Sequence, residues 1–306
     1  LKYNFSLLDK GREIAFREKN LTRAMIILHK GKILTESYAE GFDKQTMING
    51  WSMTKSITST LVGILVKKGV LSIQDSNLFD TWKDERNAIK VKDLLKMQSG
   101  LYFEESYDEL STATNMLFRS ECVADIPMDQ DAIFKPGEKW YYSSGTTNLL
   151  SQLMRNTLGD GAYYALVYEE LFHRIGMNTA VLESDQTGTF IGSSFCFARP
   201  REWAQLGQLY LQYGFWNGQQ IIDSSWVEFV QRPAEKSTGR YGGHFWLNAY
   251  GSIYPKLPHN MYFCSGFQGQ RIFIFPSQDL VVVRMGLSEN WDMQAFLLTI
   301  LESLEK

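Results

Sequence analysis

A basic excess is missing from this chain: 31 Lys and Arg stand against 34 Asp and Glu, a net charge of −3. A surface for a polyanion needs strong cationic surplus, which argues against nucleic acid as a partner. Cysteine is scarce. Cys122, Cys196 and Cys264 are widely spaced, with no CxxC and no Cys/His cluster, so neither a zinc site nor a disulfide framework is indicated and no cofactor or metal is implied. Long apolar runs are also lacking. The longest, Ile57 to Val66, is interrupted by Thr58, Ser59 and Thr60 and falls far short of a bilayer span, so no integral membrane segment is expected. The first twenty residues hold no signal-peptide core. The chain opens at Leu1 instead of Met, which fits a leader already removed, and the compartment stays open between periplasmic or secreted and cytoplasmic. There is no GxxxxGK, GxGxxG or HExxH, and Gly50-Trp51-Ser52-Met53-Thr54 starts like a nucleophile elbow but ends in Thr. With only four histidines, a Ser-His-Asp triad has few candidates; His29 falls in a hairpin and His259 in a loop.

What is present is a core. At 306 residues the chain is long enough for one large domain or two intimate ones, and 44% hydrophobic against 21% charged residues is globular rather than disordered. Aromatic content of 14%, with eight Trp, points to a dense interior and a flat-walled cleft. Residues 5–18 have amphipathic helical spacing, and 23–38 reads as two strands around Lys30-Gly31. From Ser52 the period turns helical, with Ile57, Leu61, Ile64 and Leu65 on one stripe that ends at Gly69. Residues 75–185 give helices and loops with little strand signal. Strands return at 241–248, 270–276 and 279–286, and a helix over Asn290 to Glu305 closes the chain.

Strands at both ends with helices between them predict an α+β fold: an antiparallel sheet built from both termini, flanked by helices, with an inserted mainly helical lobe. The expected division is 1–70 with 190–306 for the sheet unit and 71–189 for the insertion, with a ligand cleft between them. Residues 102–131 carry eight acids against Arg119 alone, which reads as a solvated face or as an acidic rim that repels anions.

Two boxes carry chemistry. Ser52-Met53-Thr54-Lys55 opens the apolar helix. Residues three apart share a helix face, so the Lys55 amine reaches the Ser52 hydroxyl, and a desolvated lysine can take its proton. The helix N-terminus favours a developing oxyanion. The same spacing at Ser303–Lys306 lies at the chain end without such a setting. The bland alternative for Ser52 is a capping serine beside a solvated lysine. The second box, Tyr142-Ser143-Ser144, precedes another helical run. Its tyrosine is expected to share proton traffic with Lys55, whose ammonium would lower the phenol's pKa; the alternative is a core aromatic near a cap.

Ser52–Lys55, Tyr142–Ser144 in its PGxxWxYSS setting, and the glycine-rich Cys264–Pro276 together resemble the three ordered boxes of the serine β-lactamase/penicillin-binding-protein-like superfamily. The tyrosine second box is similar to the class C-like branch, and within it to the esterase and 6-aminohexanoate-dimer hydrolase group. The likeness runs over about residues 20–290, with support from 93–101 and 199–227. The resemblance implies a β-lactamase/transpeptidase-like fold. It implies Ser52 as acylated nucleophile, Lys55 as its base, Tyr142 passing the proton to the leaving group, and an oxyanion hole from the N–H groups of Ser52 and Phe267. Ser144, Cys264, Ser265 and Gly266 would line the substrate. Two departures matter. Ser144 stands where the second box commonly ends in Asn, and Cys264-Ser265-Gly266 replaces the usual Lys-Thr-Gly, so the cation for a substrate carboxylate is missing. Arg271 and Arg284 are candidate substitutes, although strand arginines are more often paired. The expected activity is therefore hydrolysis of a small ester or amide through an acyl-enzyme. β-Lactamase or D,D-peptidase activity and a catalytically idle, peptide-binding cleft stand as alternatives. The partner is a small-molecule ester, amide or peptide, and the oligomeric state stays open. Cys264, placed in the cleft, is expected to make turnover sensitive to thiol reagents.

Overall fold

A computed structural model of the chain describes residues 2–304. Lys30 and Gly31 both take positive φ (53° and 72°), the geometry whose twist suits a two-residue hairpin, and they join β1 (Thr22–His29) to β2 (Lys32–Tyr38). Short strands follow in β3 (Ile48–Asn49), β4 (Val181–Leu182), β5 (Cys196–Ala198), β6 (Phe215–Trp216), β7 (Gln219–Gln220) and β8 (Trp246–Leu247). The chain then runs through β9 (Tyr262–Gly266), β10 (Gln270–Phe275) and β11 (Leu280–Gly286). The main sheet is antiparallel in the order β2-β1-β11-β10-β9-β8, so the N-terminal hairpin pairs with the last strand, as the sequence pattern requires. β3, β5 and β4 form a second, small sheet.

The helices are α1 (Phe5–Ala15), α2 (Thr54–Lys67), α3 (Val91–Leu95), α4 (Thr112–Phe118), α5 (Asp125–Met128), α6 (Ser144–Leu158), α7 (Asp160–Val167), α8 (His173–Ile175), α9 (Pro200–Leu211), α10 (Ser224–Gln231) and α11 (Met293–Ser303). α1 and α11 cover one face of the sheet, over Met25, Ile27, Phe273 and Val282; α9 and α2 lie on the other, with Ile26, Ile272, Ile274 and Val283. The predicted terminal helix reaches to Glu305, and the chain-end Ser/Lys spacing to Lys306; both of those residues lie outside the described ones.

One predicted strand is corrected. The sequence pattern of 241–248 predicts an extended run throughout, but only Trp246–Leu247 joins the sheet, with a lone bridge from Tyr241 to Trp246. Gly242 packs so tightly on the Val230 carbonyl that a Cβ would lie 1.8 Å from it, and His244 has φ 63°, so the chain doubles back between the two aromatics.

Buried hydroxyls fix α2. Ser56, Thr58 and Ser59 donate to the carbonyls of His244 (2.8 Å), Gly192 (2.8 Å) and Gly243 (2.9 Å). Thr58 and Ser59, two of the polar residues that interrupt the apolar run, and Ser56 just before it thus tie this central helix to two loops, and one of those loops borders the site described next.

Candidate active site

The Gly50–Met53 turn is set by packing before any chemistry. A Cβ on Gly50 would lie 2.4 Å from the Trp203 ring, and Trp51 sits at φ 48° with its N–H held by Asn49 Oδ1 at 3.0 Å. An aromatic residue in that left-handed conformation is uncommon and needs a surrounding structure to enforce it. Ser52 follows within this 3₁₀ turn, and Lys55 occupies the first turn of α2.

Lys55 is 1% exposed. Its Nζ donates to Ser52 Oγ at 3.1 Å, to Ser144 Oγ at 2.9 Å and to the Ser193 carbonyl at 3.0 Å, which uses all three ammonium hydrogens. Burial pushes its pKa down to about 8, partly opposed by the Glu105 carboxylate. Asn148 on α6 holds Ser193 by accepting its N–H at 3.1 Å. The Lys55 ammonium also stands 5.0 Å from the centroid of the Tyr142 ring. That ring is wedged between Tyr241 (5.7 Å) and Trp246 (5.4 Å). The expectation that Lys55 lowers the Tyr142 phenol is reversed: burial, then the Glu105 charge, raise it, while the Ser52 hydroxyl opposes the shift. Tyr142 is therefore a protonated phenol at neutral pH.

Ser144 is 0% exposed and committed to the protein. Its hydroxyl accepts from Lys55 and donates to Glu105 Oε1 at 2.6 Å, and its N–H donates to Glu105 Oε2 at 2.6 Å. The Tyr107 hydroxyl donates to the same Glu105 Oε1 at 2.7 Å. Ser144 thus relays a carboxylate to Lys55 and has no proton left for a substrate. Glu105 and Tyr107 escaped the sequence reading because they sit in an acidic run whose charges look solvated; the Ser193 carbonyl escaped because a backbone group has no residue signature.

The third box abuts the nucleophile turn. A Cβ on Gly266 would lie 2.0 Å from the Gly50 carbonyl oxygen, so the close approach that demands glycine there is made by the turn itself. Phe267 follows, its ring 5.6 Å from Trp51 and 5.9 Å from Tyr107. Ser265 is partly exposed. Cys264 is corrected: at 1% exposed, its thiol points into the core beneath α2 rather than into the cleft. The two candidate cations are also spoken for. Arg271 donates to the Gly266 and Gln270 carbonyls, both at 2.9 Å, and to Glu289 at 3.2 Å. Arg284, fully buried, grips the Gln268 (3.1 Å), Gly269 (2.9 Å) and Asn20 carbonyls. Among the described residues no histidine bonds Ser52 or Lys55. His244 donates Nδ1–H to Leu95 O at 2.8 Å and accepts from the Thr147 hydroxyl at 2.9 Å, with its pKa pushed down to about 3 by burial.

Beside Ser52 opens a cavity of about 160 Å³ lined by Trp51, Tyr107, Thr114, Phe118, Ser194 and Phe267. None of these side chains carries a formal charge. No group of three or more His, Cys, Asp or Glu suited to a metal occurs among the described residues, and no described helix is long and apolar enough to cross a membrane.

Known proteins resemble this chain in sequence and in fold. The chain is 21% identical to a 6-aminohexanoate-dimer hydrolase of Paenarthrobacter ureafaciens, over 88% of this chain and 73% of that protein. In fold it is similar to a family VIII carboxylesterase (TM-score 0.74, 15% identity, 98% of this chain and 96% of that one). It is likewise similar to a penicillin-binding protein homologue from Caulobacter crescentus (TM-score 0.72, 17% identity, 93% and 92%). The family described as Beta-lactamase matches residues 15–193, more than half of the chain. With the solved structures sharing its fold, that match establishes that the chain belongs to the Beta-lactamase family of serine hydrolases.

Proposed function

We propose that the protein hydrolyses a small, uncharged carboxylic ester or amide through an acyl-enzyme on Ser52. The observation that carries this reading is the Lys55 Nζ–Ser52 Oγ contact of 3.1 Å around a buried amine whose pKa sits near 8. A serine alkoxide needs a base within hydrogen-bond reach, and a lysine at that value has a usable neutral fraction near physiological pH. Neutral Lys55 takes the Ser52 proton as Oγ attacks the acyl carbonyl. The N–H groups of Ser52 and Phe267 receive the oxyanion. The tetrahedral intermediate collapses, the bond to the leaving group breaks, and the leaving atom takes a proton through the Tyr142 hydroxyl. Water then attacks the acyl-enzyme, its proton returns along the same path, and the acid is released as Ser52 is reprotonated.

The substrate class follows from charge and size. The cavity at Ser52 is comparable to the ~150 Å³ apolar cavities that take a benzene-sized ligand, so a short acyl group fits. Its walls offer no cation, Ser144 is tied to Glu105, and Lys55 has no free hydrogen. A penicillin or a D-Ala-D-Ala tail, each carrying a carboxylate, therefore lacks its counter-charge. The cleft is proposed to lie between the sheet unit (1–70 and 190–306), which supplies Ser52 and Phe267, and the inserted unit (71–189), which supplies Tyr107, Tyr142 and Ser144. Ser265 and Gly266 form its floor in this reading.

p-Nitrophenyl butyrate hydrolysis by wild type and Ser52→Ala, purified side by side, tests the proposal. Turnover by wild type and its loss in a variant of unchanged thermal midpoint support it. Equal turnover by both removes Ser52 from the chemistry.

A further inference from the structure

A second cavity, of about 450 Å³, adjoins the first. Trp51 belongs to the walls of both. The two linings also meet at consecutive residues: Ser194 faces the Ser52 cavity and Phe195 the groove, Phe267 faces the cavity and Gln268 the groove. The partition is thus one residue thick and mostly aromatic, with the Trp51 and Phe195 rings 5.8 Å apart, edge to face.

The groove differs from the Ser52 cavity in charge. Its floor comes from β3 and β5, and Phe42, Phe195 and Phe197 supply flat apolar wall. Arg23 also lines it, its guanidinium 5.0 Å over the Phe42 ring. Among the described residues, no carboxylate lies within ion-pair distance of Arg23. An arginine laid against an aromatic face keeps its in-plane N–H donors available for a planar anion, the carboxylate above all. Glu183, the groove's one acid, stands exposed on the rim.

Orientation assigns the groove to the acyl side. A leaving group takes its proton from Tyr142, and Tyr142 lines neither cavity. The part of the substrate that runs toward Trp51 is then the part that stays on Ser52. We infer that the groove beyond Trp51 is a second acyl subsite, which accepts the far end of an elongated apolar acyl chain and reads a terminal carboxylate with Arg23. The inference rests on the acyl-enzyme reading above and changes its substrate class: the reacting end of the substrate is uncharged, as proposed there, but the acyl chain is longer and its remote end is anionic. A carboxylate excluded beside Ser144 and Glu105 is accepted at the opposite extreme of the site.

The test uses p-nitrophenyl monoesters of adipic, suberic and sebacic acids, each beside the same ester with its free carboxyl capped as the methyl ester. The readout is the ratio of kcat/KM, free acid over capped, within each enzyme, so that loss of folded protein cancels. In wild type one chain length is expected to favour the free acid. Arg23→Gln is expected to cut that ratio about tenfold, chiefly through KM, as loss of one charge-assisted hydrogen bond would. Glu183→Gln moves the ratio upward by removing the opposing charge. A wild-type ratio at or below unity for all three lengths overturns the proposal, as does a ratio that Arg23→Gln leaves unchanged. If wild type turns over neither these esters nor the butyrate, the acyl-enzyme reading itself fails and takes the subsite with it.

Discussion

Glu105 holds Ser144 at two points, accepting the backbone N–H and the hydroxyl at 2.6 Å each, on different carboxylate oxygens. Since Ser144 in turn accepts from Lys55 at 2.9 Å, a negative charge stands two hydrogen bonds from the proposed base. Burial lowers Lys55 and Glu105 raises it, so the carboxylate keeps the amine from falling further below about 8. The base works when neutral, so kcat/KM is expected to rise with pH through that value. Glu105→Gln removes the charge that favours the ammonium, and the acid limb moves to lower pH. A glutamine cannot accept at both positions, so kcat also falls, by about tenfold for one charge-assisted hydrogen bond. A pH–rate profile on p-nitrophenyl butyrate checks both, and an unmoved limb breaks the link between Glu105 and Lys55.

Gly266 is the second sensitive point. An added methyl would meet the Gly50 carbonyl oxygen at 2.0 Å and Gln270 Cβ at 3.2 Å. The first neighbour is backbone of the turn that carries Ser52, so it moves only by moving the nucleophile. Gly266→Ala is expected to lose about 1–3 kcal/mol of stability, as overpacking does. Displacing a reacting group by an ångström costs on the order of a hundredfold in rate. Thermal melts and kcat measured on one preparation separate the two effects. Wild-type values in both would mean that β9 and the turn slide apart freely.

Most of the scaffold was legible because it obeys short-range rules. The Lys30-Gly31 turn, the strands around Asp279 and the helix after Ser52 follow from hydrophobic period and turn residues, and the pairing of β1 with β11 follows from strands stranded at both ends. The Ser52–Lys55 contact was legible for the same reason, being an i,i+3 pair. What escaped depends on long-range closure. Glu105 meets Ser144 across 39 residues and Lys55 meets the Ser193 carbonyl across 138, and neither pattern period nor composition encodes such a meeting. The 241–248 segment was misjudged because its aromatic, strand-like pattern yields to glycines packed on the Val230 carbonyl. Cys264 was misplaced for a related reason. Alternation along β9 sends Cys264 to the α2 side of the sheet and Phe263 to the other face, a choice that only the register against β10 decides.

That burial makes a chemical prediction opposite to the one drawn from sequence. Cys264 and Cys196 are both buried, and burial pushes the Cys264 thiol up to about 12, so neither offers a thiolate. Cys122 is half-buried and is the accessible thiol of the three. Iodoacetamide on the native protein is expected to label Cys122 without slowing turnover, and to reach Cys264 only in denaturant. Peptide mapping alongside residual activity decides it. Native labelling of Cys264 with matching loss of rate would return that thiol to the cleft.

Lys96 gives the chain an unusual dependence of stability on pH. The residue is 9% exposed, and its ammonium donates to the Phe229 carbonyl at 2.9 Å and to the Arg232 carbonyl, with no carboxylate bonded to it among the described residues. Burial first, then the Arg232 charge, push its pKa down to about 7, against an ordinary lysine value of 10.5. Between those values the unfolded chain binds a proton that the folded chain has released, so stability rises with pH across this window and sits at its lower plateau below about 7. Lys55, lowered to about 8, adds to the same slope from that point upward. Lys96→Met removes the larger contribution and leaves the Phe229 and Arg232 carbonyls, at the end of α10, without their donor, so its overall stability falls while its slope flattens. Urea midpoints from about pH 6 to about pH 9 read the slope separately from the offset. A variant whose slope equals that of wild type would show that Lys96 keeps its proton in the folded state throughout this range.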